Sequence, residues 1–179
     1  MSKRLNGRVT LVSRTRQIVR GTISRHLPRW MKDRYPTPKI DVRGVVFDEQ
    51  GRLLLVRESS DGRWSLPGGW ADLGDSLSAA VTREIQEESG YPTRATKLLA
   101  VLNLDRRRSR QPTSINVYKF FVRCELVGDV ERTRGGETTD AGWFEEKALP
   151  PLSLGRGRPE HFSLLFEHAR NPARPTDFD

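Results

Sequence analysis

Three glutamates in one short segment are the residues of this chain whose types and spacing suggest chemistry. Glu84, Glu87 and Glu88 stand at i, i+3 and i+4, so in a helix their carboxylates project from the same face. Hard oxygen ligands in that number suit Mg²⁺ or Mn²⁺ better than zinc. Exposed like charges at this spacing cost only about a few tenths of a kcal/mol each, so repulsion alone does not require a cation. The spacing therefore leaves two interpretations open: a divalent-cation site, and a solvent-exposed acidic helix surface.

The sequence around these glutamates predicts the helix that carries them. Asp75 and Ser76 are favourable N-cap residues, and Gly90 and Pro92 are typical of the position where a helix ends. Between these limits, apolar residues recur at the spacing of a helix with one buried stripe: Leu77, Ala80, Val81 and Ile85. The loop 66–69 precedes the helix, and its two glycines allow backbone to come close to a ligand. The expected order is a strand, a glycine loop, and a helix with three acids near its C-terminal end.

The segment 69–91 resembles the Nudix box, G-x5-E-x7-R-E-U-x-E-E-x-G-U, in which U is a bulky apolar residue. The fixed and bulky positions that agree are Gly69, Arg83, Glu84, Ile85, Glu87, Glu88, Gly90 and Tyr91. The departure is Asp75, where the family usually has Glu. In the family this acid supports the box through its arginine, so Asp75 is expected either to reach Arg83 or to serve only as the helix cap. A motif this dense, in a strand–loop–helix context, is a specific signal.

The resemblance implies both a fold and a reaction. The fold is of the α/β (α+β) class, the Nudix α/β/α sandwich with a mixed sheet, over residues 37–179. Nudix enzymes hydrolyse the diphosphate that joins a nucleoside to another group, and the resemblance implies Mg²⁺ as the cofactor, with Mn²⁺ as a substitute. The metal ligands that it implies are the backbone carbonyl of Gly68 and the carboxylates of Glu84, Glu87 and Glu88. Arg83 is expected to orient Glu84, and Asp75 to have a supporting role.

The hydrolysis also needs a group that takes a proton from water. Many Nudix enzymes carry a further acid on the loop before a late strand, and Glu137 is the first candidate here, with Asp140 second and Glu131 third. The box glutamates Glu84 and Glu87 are the other expected catalytic residues. The choice of base between Glu137 and a box glutamate stays open at this point.

The substrate is expected to be a nucleoside diphosphate derivative. Residues 37–155 resemble a bacterial Nudix group associated with ADP-ribose-type and CDP-choline-type substrates, and ADP-ribose is favoured over CDP-choline and nucleotide sugars. Two functions of another class remain open alternatives: an RNA 5′-end pyrophosphohydrolase and a non-catalytic nucleotide-binding module. The candidate substrate contacts are Arg57, Trp70, Arg106 and Arg108. A solvated loop tip is the alternative for the arginine-rich loop 105–112, and core packing is the alternative for the tryptophan.

Charge and cysteine content narrow the class of protein. The chain of 179 residues has a net charge of +8, but residues 1–34 hold ten Lys/Arg and one acid, whereas the remainder holds 21 basic and 22 acidic side chains. The catalytic domain is therefore nearly neutral, and the high pI does not indicate a nucleic-acid-binding domain. The single cysteine, Cys124, excludes an internal disulfide framework and a cysteine-rich zinc site. A cytoplasmic location is expected, with organelle targeting by the N-terminal arm left open.

Residues 1–36 are predicted to form a basic, helical N-terminal arm. Three alternatives are open for it. It could pack on the domain or across a homodimer, contact RNA or an anionic membrane through residues 1–34, or act as a transit peptide.

The remaining elements follow from apolar patterning. Apolar runs predict strands at 40–47, 53–56, 95–104, 115–126 and 141–144, and helical spacing predicts a C-terminal helix at 158–169. His26, His161 and His168 are interpreted as surface or structural residues, because nothing in the sequence links them.

Overall fold

The computed structural model of the chain describes residues 37–103, 116–128 and 137–179, and the structural statements below refer to these. The predictions for the arm 1–36, for Arg106 and Arg108, and for Glu131 lie outside the described residues. None of the described helices has the length and apolar character needed to cross a membrane.

Strands dominate the described residues. In chain order the elements are β1 Lys39–Val46, β2 Leu53–Glu58, β3 Trp64–Ser65, α1 Leu77–Ser89, β4 Thr93–Asn103, β5 Val117–Leu126, β6 Thr138–Phe144, a 3-10 turn Glu146–Ala148, α2 Pro159–Arg170 and β7 Asp177–Phe178. Every strand predicted from an apolar run is present, as are the predicted box helix and the predicted C-terminal helix, with only the ends shifted.

The strands form a four-stranded mixed sheet and a three-stranded antiparallel sheet. In the first the order is β1-β5-β4-β7, and β5 is parallel to β1 but antiparallel to β4. In the second, β2 lies between β3 and β6 and runs antiparallel to both. The chain leaves β3 and passes along the edge of β1 that β5 does not occupy, where its backbone hydrogen-bonds to β1 before α1 begins.

The two helices cover opposite faces of the strand layer because side chains alternate along each strand. Val46 belongs to an apolar cluster with Ile85 of α1, whereas its neighbour Val45 belongs to a second cluster with Phe162 and Leu165 of α2. All five side chains are buried. This arrangement is the α/β/α sandwich with a mixed sheet that the sequence predicted.

The largest shift from a predicted strand end is at β6, which begins at Thr138 and not at residue 141. The first residues of β6 pair with the end of β2, so that Asp140 lies opposite Arg57 and Thr138 opposite Glu58. These residues are polar, and a strand end fixed by pairing with a distant strand is not visible in a local apolar pattern. Asp140, the second candidate for the base, therefore lies within a strand and not on the loop before it.

Both ends of α1 follow the local signals. Ser76 is the N-cap, and its hydroxyl accepts a hydrogen bond from the N–H of Ala79 at 3.1 Å. Gly90 ends the helix with a left-handed φ of 77°, and its N–H donates to the carbonyl of Gln86. Since Ser76 caps the helix, the Asp75 carboxylate is available for a side-chain contact.

The two histidines on the C-terminal helix have structural positions. His161 and His168 are both buried. Nε2 of His168 lies 2.8 Å from Oδ2 of Asp177, which joins α2 to β7. The structural interpretation therefore holds for these two residues.

Candidate active site

The glycine loop touches the acidic face of α1 directly. The backbone N–H of Gly68 donates to Oε2 of Glu88 at 2.8 Å. One residue later, a Cβ placed on Gly69 would lie 2.9 Å from Oε2 of Glu84. Two of the three predicted ligand carboxylates thus meet the loop that was predicted to supply the backbone ligand.

The loop is held against β1 by its own backbone. The N–H groups of Val42 and Gly44 donate to the carbonyls of Gly69 and Pro67, at 2.9 Å and 2.8 Å. The approach is so close that a Cβ on Gly68 would lie 2.0 Å from the carbonyl oxygen of Val42. Gly68 also has a φ of 146°, which side chains disfavour, so both sterics and backbone conformation require glycine here.

The box acids differ in their exposure to solvent. Burial raises the pKa of Glu88 to about 7, and the nearby negative charges of Glu58 and Glu84 act in the same direction against the Gly68 amide. Burial also raises the pKa of Glu84, although Arg83 opposes the shift. The Glu87 side chain, by contrast, is 60% exposed. The buried acids carry a charge that their surroundings compensate only in part.

Arg83 organises the outer part of this acidic cluster. Its Nη1 donates to Oε1 of Glu84 at 2.8 Å and to Oε2 of Glu87 at 3.4 Å. Its Nη2 donates to Oδ2 of Asp75 at 3.3 Å. Of the two alternatives for the departure from the box pattern, Asp75 therefore reaches Arg83 although Asp is one methylene shorter than Glu.

The donor chemistry of the cluster fits a hard divalent cation. Within the described ranges, no three or more His, Cys, Asp or Glu side chains are already gathered around one point as metal ligands. Glu87 and Glu84 are instead held by Arg83. The three carboxylates and the Gly68 carbonyl are all oxygen donors, which Mg²⁺ and Mn²⁺ prefer. A cation at this position would also offset the charge of the buried carboxyl groups.

The first candidate for the base is anchored beside the C-terminal end of α1. The carbonyl of Glu137 accepts hydrogen bonds from the N–H and the hydroxyl of Ser59, at 3.1 Å and 2.8 Å. The hydroxyl of the next residue, Thr138, donates to the carbonyl of Glu88 at 2.8 Å. The backbone of Glu137 is thus fixed next to the box helix, and the residue itself is exposed.

The two described candidates for substrate contact have different surroundings. Trp70 follows the glycine loop immediately and is 47% exposed, with the Nζ of Lys39 5.0 Å from the centroid of its ring. An exposed aromatic ring next to the loop suits stacking with a base, and core packing is not its role. Arg57, near the end of β2, is exposed, and its Nε donates to the carbonyl of Gly62 in the following loop at 2.9 Å.

Sequence reasoning missed a group of charged residues behind the glycine loop: Asp41, Arg43, Glu58, Lys119 and Arg156. The first four are buried, and Glu58 and Lys119 have only 1% of their surface exposed. Charged residues inside otherwise apolar strand segments were a visible signal. Their partners were not visible, because the contacts join residues far apart in the chain.

Asp41 is shared between two cations. Burial opposes its ionisation, but the charges of Arg43 and Lys119 outweigh burial and hold the pKa of the carboxyl below its usual range. Burial and the repulsion from Arg43 lower the pKa of Lys119 to about 8, against the attraction of Asp41. The group therefore holds one more positive than negative charge next to the acidic face of α1.

The sequence of the chain matches a known family model and known proteins. The family model described as the NUDIX domain matches residues 37–166. A relative in Bacillus subtilis (strain 168), provisionally named ADP-ribose pyrophosphatase YjhB, is 47% identical over 145 residues, which cover 81% of this chain and 68% of that protein.

Solved structures agree with the sequence matches. The crystal structure of an ADP-ribose pyrophosphatase from Streptococcus suis 89-1591 is similar with a TM-score of 0.68 and 38% identity, covering 80% of this chain and 100% of that one. The crystal structure of a UDP-X diphosphatase is similar with a TM-score of 0.72 and 27% identity, covering 93% of this chain and 84% of that one.

Proposed function

The chain belongs to the Nudix hydrolase family, and from this premise we propose that it hydrolyses the diphosphate of ADP-ribose with Mg²⁺ bound. Hydrolysis of nucleoside diphosphate derivatives is the activity common to the named pyrophosphatases that the chain resembles. The observation that carries the proposal is the contact between Gly68 and Glu88, which brings the glycine loop onto the acidic face of α1.

That contact supports the ligand set that the Nudix box implies. Glu84, Glu87, Glu88 and the carbonyl of Gly68 would hold the cation, as the resemblance to the Nudix box implies. Of the carboxylates, Glu88 accepts from the Gly68 amide and Glu84 lies next to Gly69. When bound, Mg²⁺ withdraws charge from the phosphate oxygens and lowers the pKa of a coordinated water. Glu88 and Glu84 suit this role because burial raises the pKa of both carboxyl groups, and their protein partners, the Gly68 amide and Arg83, oppose that shift only in part.

The residues of the chain have separate tasks in the reaction. Arg83 fixes the direction of the Glu84 carboxylate by a charge-assisted hydrogen bond of 2.8 Å. Glu137, exposed beside the end of α1, accepts a proton from the attacking water. The oxygen of that water forms a bond to one phosphorus, and the bond from that phosphorus to the bridging oxygen breaks. The products are a nucleoside monophosphate and a phosphorylated second group.

The sequence relationships favour ADP-ribose as the substrate. The 47% identical relative and the Streptococcus suis structure both carry names that specify ADP-ribose. Trp70, half-exposed beside the glycine loop, gives a surface on which a base can stack. Nucleotide sugars are the second candidate, because the similarity to the UDP-X diphosphatase extends over 93% of this chain. CDP-choline is the third.

A substrate panel tests the proposal. We expect that the full chain with Mg²⁺ hydrolyses ADP-ribose with a higher kcat/KM than UDP-glucose or CDP-choline, and that Mn²⁺ replaces Mg²⁺. Product identification by chromatography should give AMP and ribose 5-phosphate. A higher kcat/KM for UDP-glucose, CDP-choline or 5′-triphosphate RNA would move the proposal to that substrate. Absence of any metal-dependent turnover across the panel would instead favour a nucleotide-binding module.

A further inference from the structure

The guanidinium of Arg43 joins a buried carboxylate to the glycine loop. Its Nε and Nη2 donate to the two oxygens of Asp41, at 2.7 Å and 3.1 Å. The remaining guanidinium nitrogen, Nη1, donates to the carbonyl of Leu66 at 3.1 Å. Leu66 lies two residues before Gly68, so the carbonyl that Arg43 holds is at the start of the loop that contacts Glu88.

The orientation of Arg43 is itself fixed from the neighbouring strand. The Nζ of Lys119, on β5, donates to Oδ2 of Asp41 at 2.9 Å and to the carbonyl of Arg156 at 2.7 Å. Asp41 is thereby held between two cations and cannot turn away from the arginine without losing both contacts. The planar fork of arginine fits this two-point contact, which lysine cannot reproduce.

The hydroxyl of Ser65, the residue before Leu66, has a different acceptor. It donates its single proton to Oε1 of Glu58 at 2.6 Å, although the carbonyl of Leu66 lies 3.1 Å away. The other carboxylate oxygen of Glu58 pairs with Nη2 of Arg156 at 3.0 Å. The proton of Ser65 is thus used by Glu58, and Arg43 is the side chain that donates to the carbonyl of Leu66.

Stability does not explain why charges are used here. Burying an ion pair carries a desolvation penalty that apolar residues of similar volume avoid, so such a pair is weak support for a fold. A fully connected polar network has another property, which is that it fixes the positions of its members. The network here lies next to the acidic helix face, and the element that it holds is the loop of the candidate active site.

We propose that Arg43 is a positioning residue for diphosphate hydrolysis: it holds the carbonyl of Leu66, and so keeps the amide of Gly68 on Glu88 and the loop carbonyl in place for the cation. The inference rests on the proposed function for its catalytic consequence. Its structural part, the coupling of Arg43 to the Gly68 amide, can be measured without any substrate.

The test compares Arg43→Lys with Leu165→Ala, a matched control. Arg43→Lys keeps the charge but cannot contact both Asp41 oxygens and the Leu66 carbonyl. Leu165→Ala removes a buried side chain from the α2 side of the sheet and lowers stability. Its side chain shares an apolar cluster with Leu66 but makes none of the polar contacts that hold the loop. Two quantities are measured on the full chain: hydrogen exchange of the Gly68 amide by NMR, and the dissociation constant for Mn²⁺ alone.

In Arg43→Lys we expect Gly68 amide exchange to accelerate roughly tenfold more than global exchange, the effect of losing about one hydrogen bond. We expect the Mn²⁺ dissociation constant to rise about 10- to 100-fold, as for other residues that orient metal ligands. At saturating metal, kcat should fall while KM for ADP-ribose changes little. Leu165→Ala should accelerate amide hydrogen exchange throughout the domain, and its Mn²⁺ dissociation constant should stay within about twofold of the wild-type value.

The inference is overturned if Gly68 exchange and Mn²⁺ affinity in Arg43→Lys stay at the wild-type values, or if Leu165→Ala changes them equally. If Arg43→Lys does not fold, Asp41→Asn is measured instead. It replaces one of the two carboxylate oxygens that orient Arg43 and should give the same selective effect in weaker form. If the wild-type chain binds Mn²⁺ but hydrolyses no nucleoside diphosphate derivative, the proposed function is wrong. In that case the exchange and Mn²⁺ measurements would still decide the role of Arg43.

Discussion

Replacing Gly68 with alanine should uncouple the glycine loop from β1, and Gly51→Ala is the matched control. Both glycines have a positive φ, 146° and 74°, so alanine is strained at either position. They differ in their surroundings. A Cβ at Gly51 meets nothing within 4 Å, whereas a Cβ at Gly68 would lie 2.0 Å from the carbonyl oxygen of Val42. The pair therefore separates backbone strain from the close approach of loop and strand.

The expected magnitudes follow from these contacts. Strain at a disfavoured φ costs roughly 1–2 kcal/mol, and Gly51→Ala should lower the free energy of unfolding by about that amount. At Gly68 the obstacle is a backbone oxygen of strand β1, which no rotamer change can move. The loop must retreat, and it then loses the Gly68–Glu88 and Val42–Gly69 hydrogen bonds. Losing them adds roughly 2–4 kcal/mol, so the total for Gly68→Ala is roughly 3–6 kcal/mol.

Urea unfolding followed by tryptophan fluorescence measures the stability of both variants, and hydrolysis of ADP-ribose with Mg²⁺ measures activity. Corrected for the folded fraction, Gly68→Ala should lose about 100-fold in kcat, because displacing catalytic groups by about 1 Å costs that much. Gly51→Ala should retain wild-type kcat. The reasoning is refuted if the two variants unfold within about 0.5 kcal/mol of each other, since the close approach would then have no energetic consequence.

Three further outcomes are expected. Glu87→Gln should lower kcat by about two orders of magnitude or more, because it removes a charge from a proposed metal ligand. Stability should not change, because the Glu87 side chain is 60% exposed. The control Glu160→Gln, at a similarly exposed glutamate on α2, should keep full activity. Between the lowered pKa of Lys119, about 8, and its ordinary value of 10.5, the unfolded chain binds more protons than the folded one. The free energy of unfolding should therefore rise with pH in this window by up to about 3 kcal/mol, as measured by urea titration, and Lys119→Met should abolish the rise. Burial raises the pKa of the Cys124 thiol to about 12, so a thiol reagent should label it no faster than the domain opens; labelling at the rate of a free peptide would contradict its buried position.

The sequence was sufficient for the segment that carries the proposed chemistry. Ser76, Gly90 and the apolar stripe of α1 act through contacts within about one helical turn, so local spacing determines where the helix begins and ends. The spacing of the three box glutamates also places them on one face without reference to the rest of the chain. Apolar runs located the strands for the same reason, since alternation in a strand is a local property.

The tertiary structure decided which charges meet. Lys119 and Asp41 are 78 positions apart in the chain, yet their side chains lie 2.9 Å from each other because β5 pairs with β1 in parallel. The sequence around either residue does not indicate that these two strands pair. The same holds for Glu58 and Arg156, and for the start of β6 at Thr138, which pairing with β2 determines.

The tertiary structure also decided between the two roles that the sequence left open for Asp75. Asp75 could have been a cap or a partner of Arg83, and the 3.3 Å contact was decided by the path of the loop before α1. Helix caps and periodicity depend on neighbours in sequence, whereas electrostatic partners inside a protein depend on which strands lie side by side. The sequence by itself therefore determined the family, the acidic helix and the glycine loop, and the fold decided the buried charges that hold the loop in place.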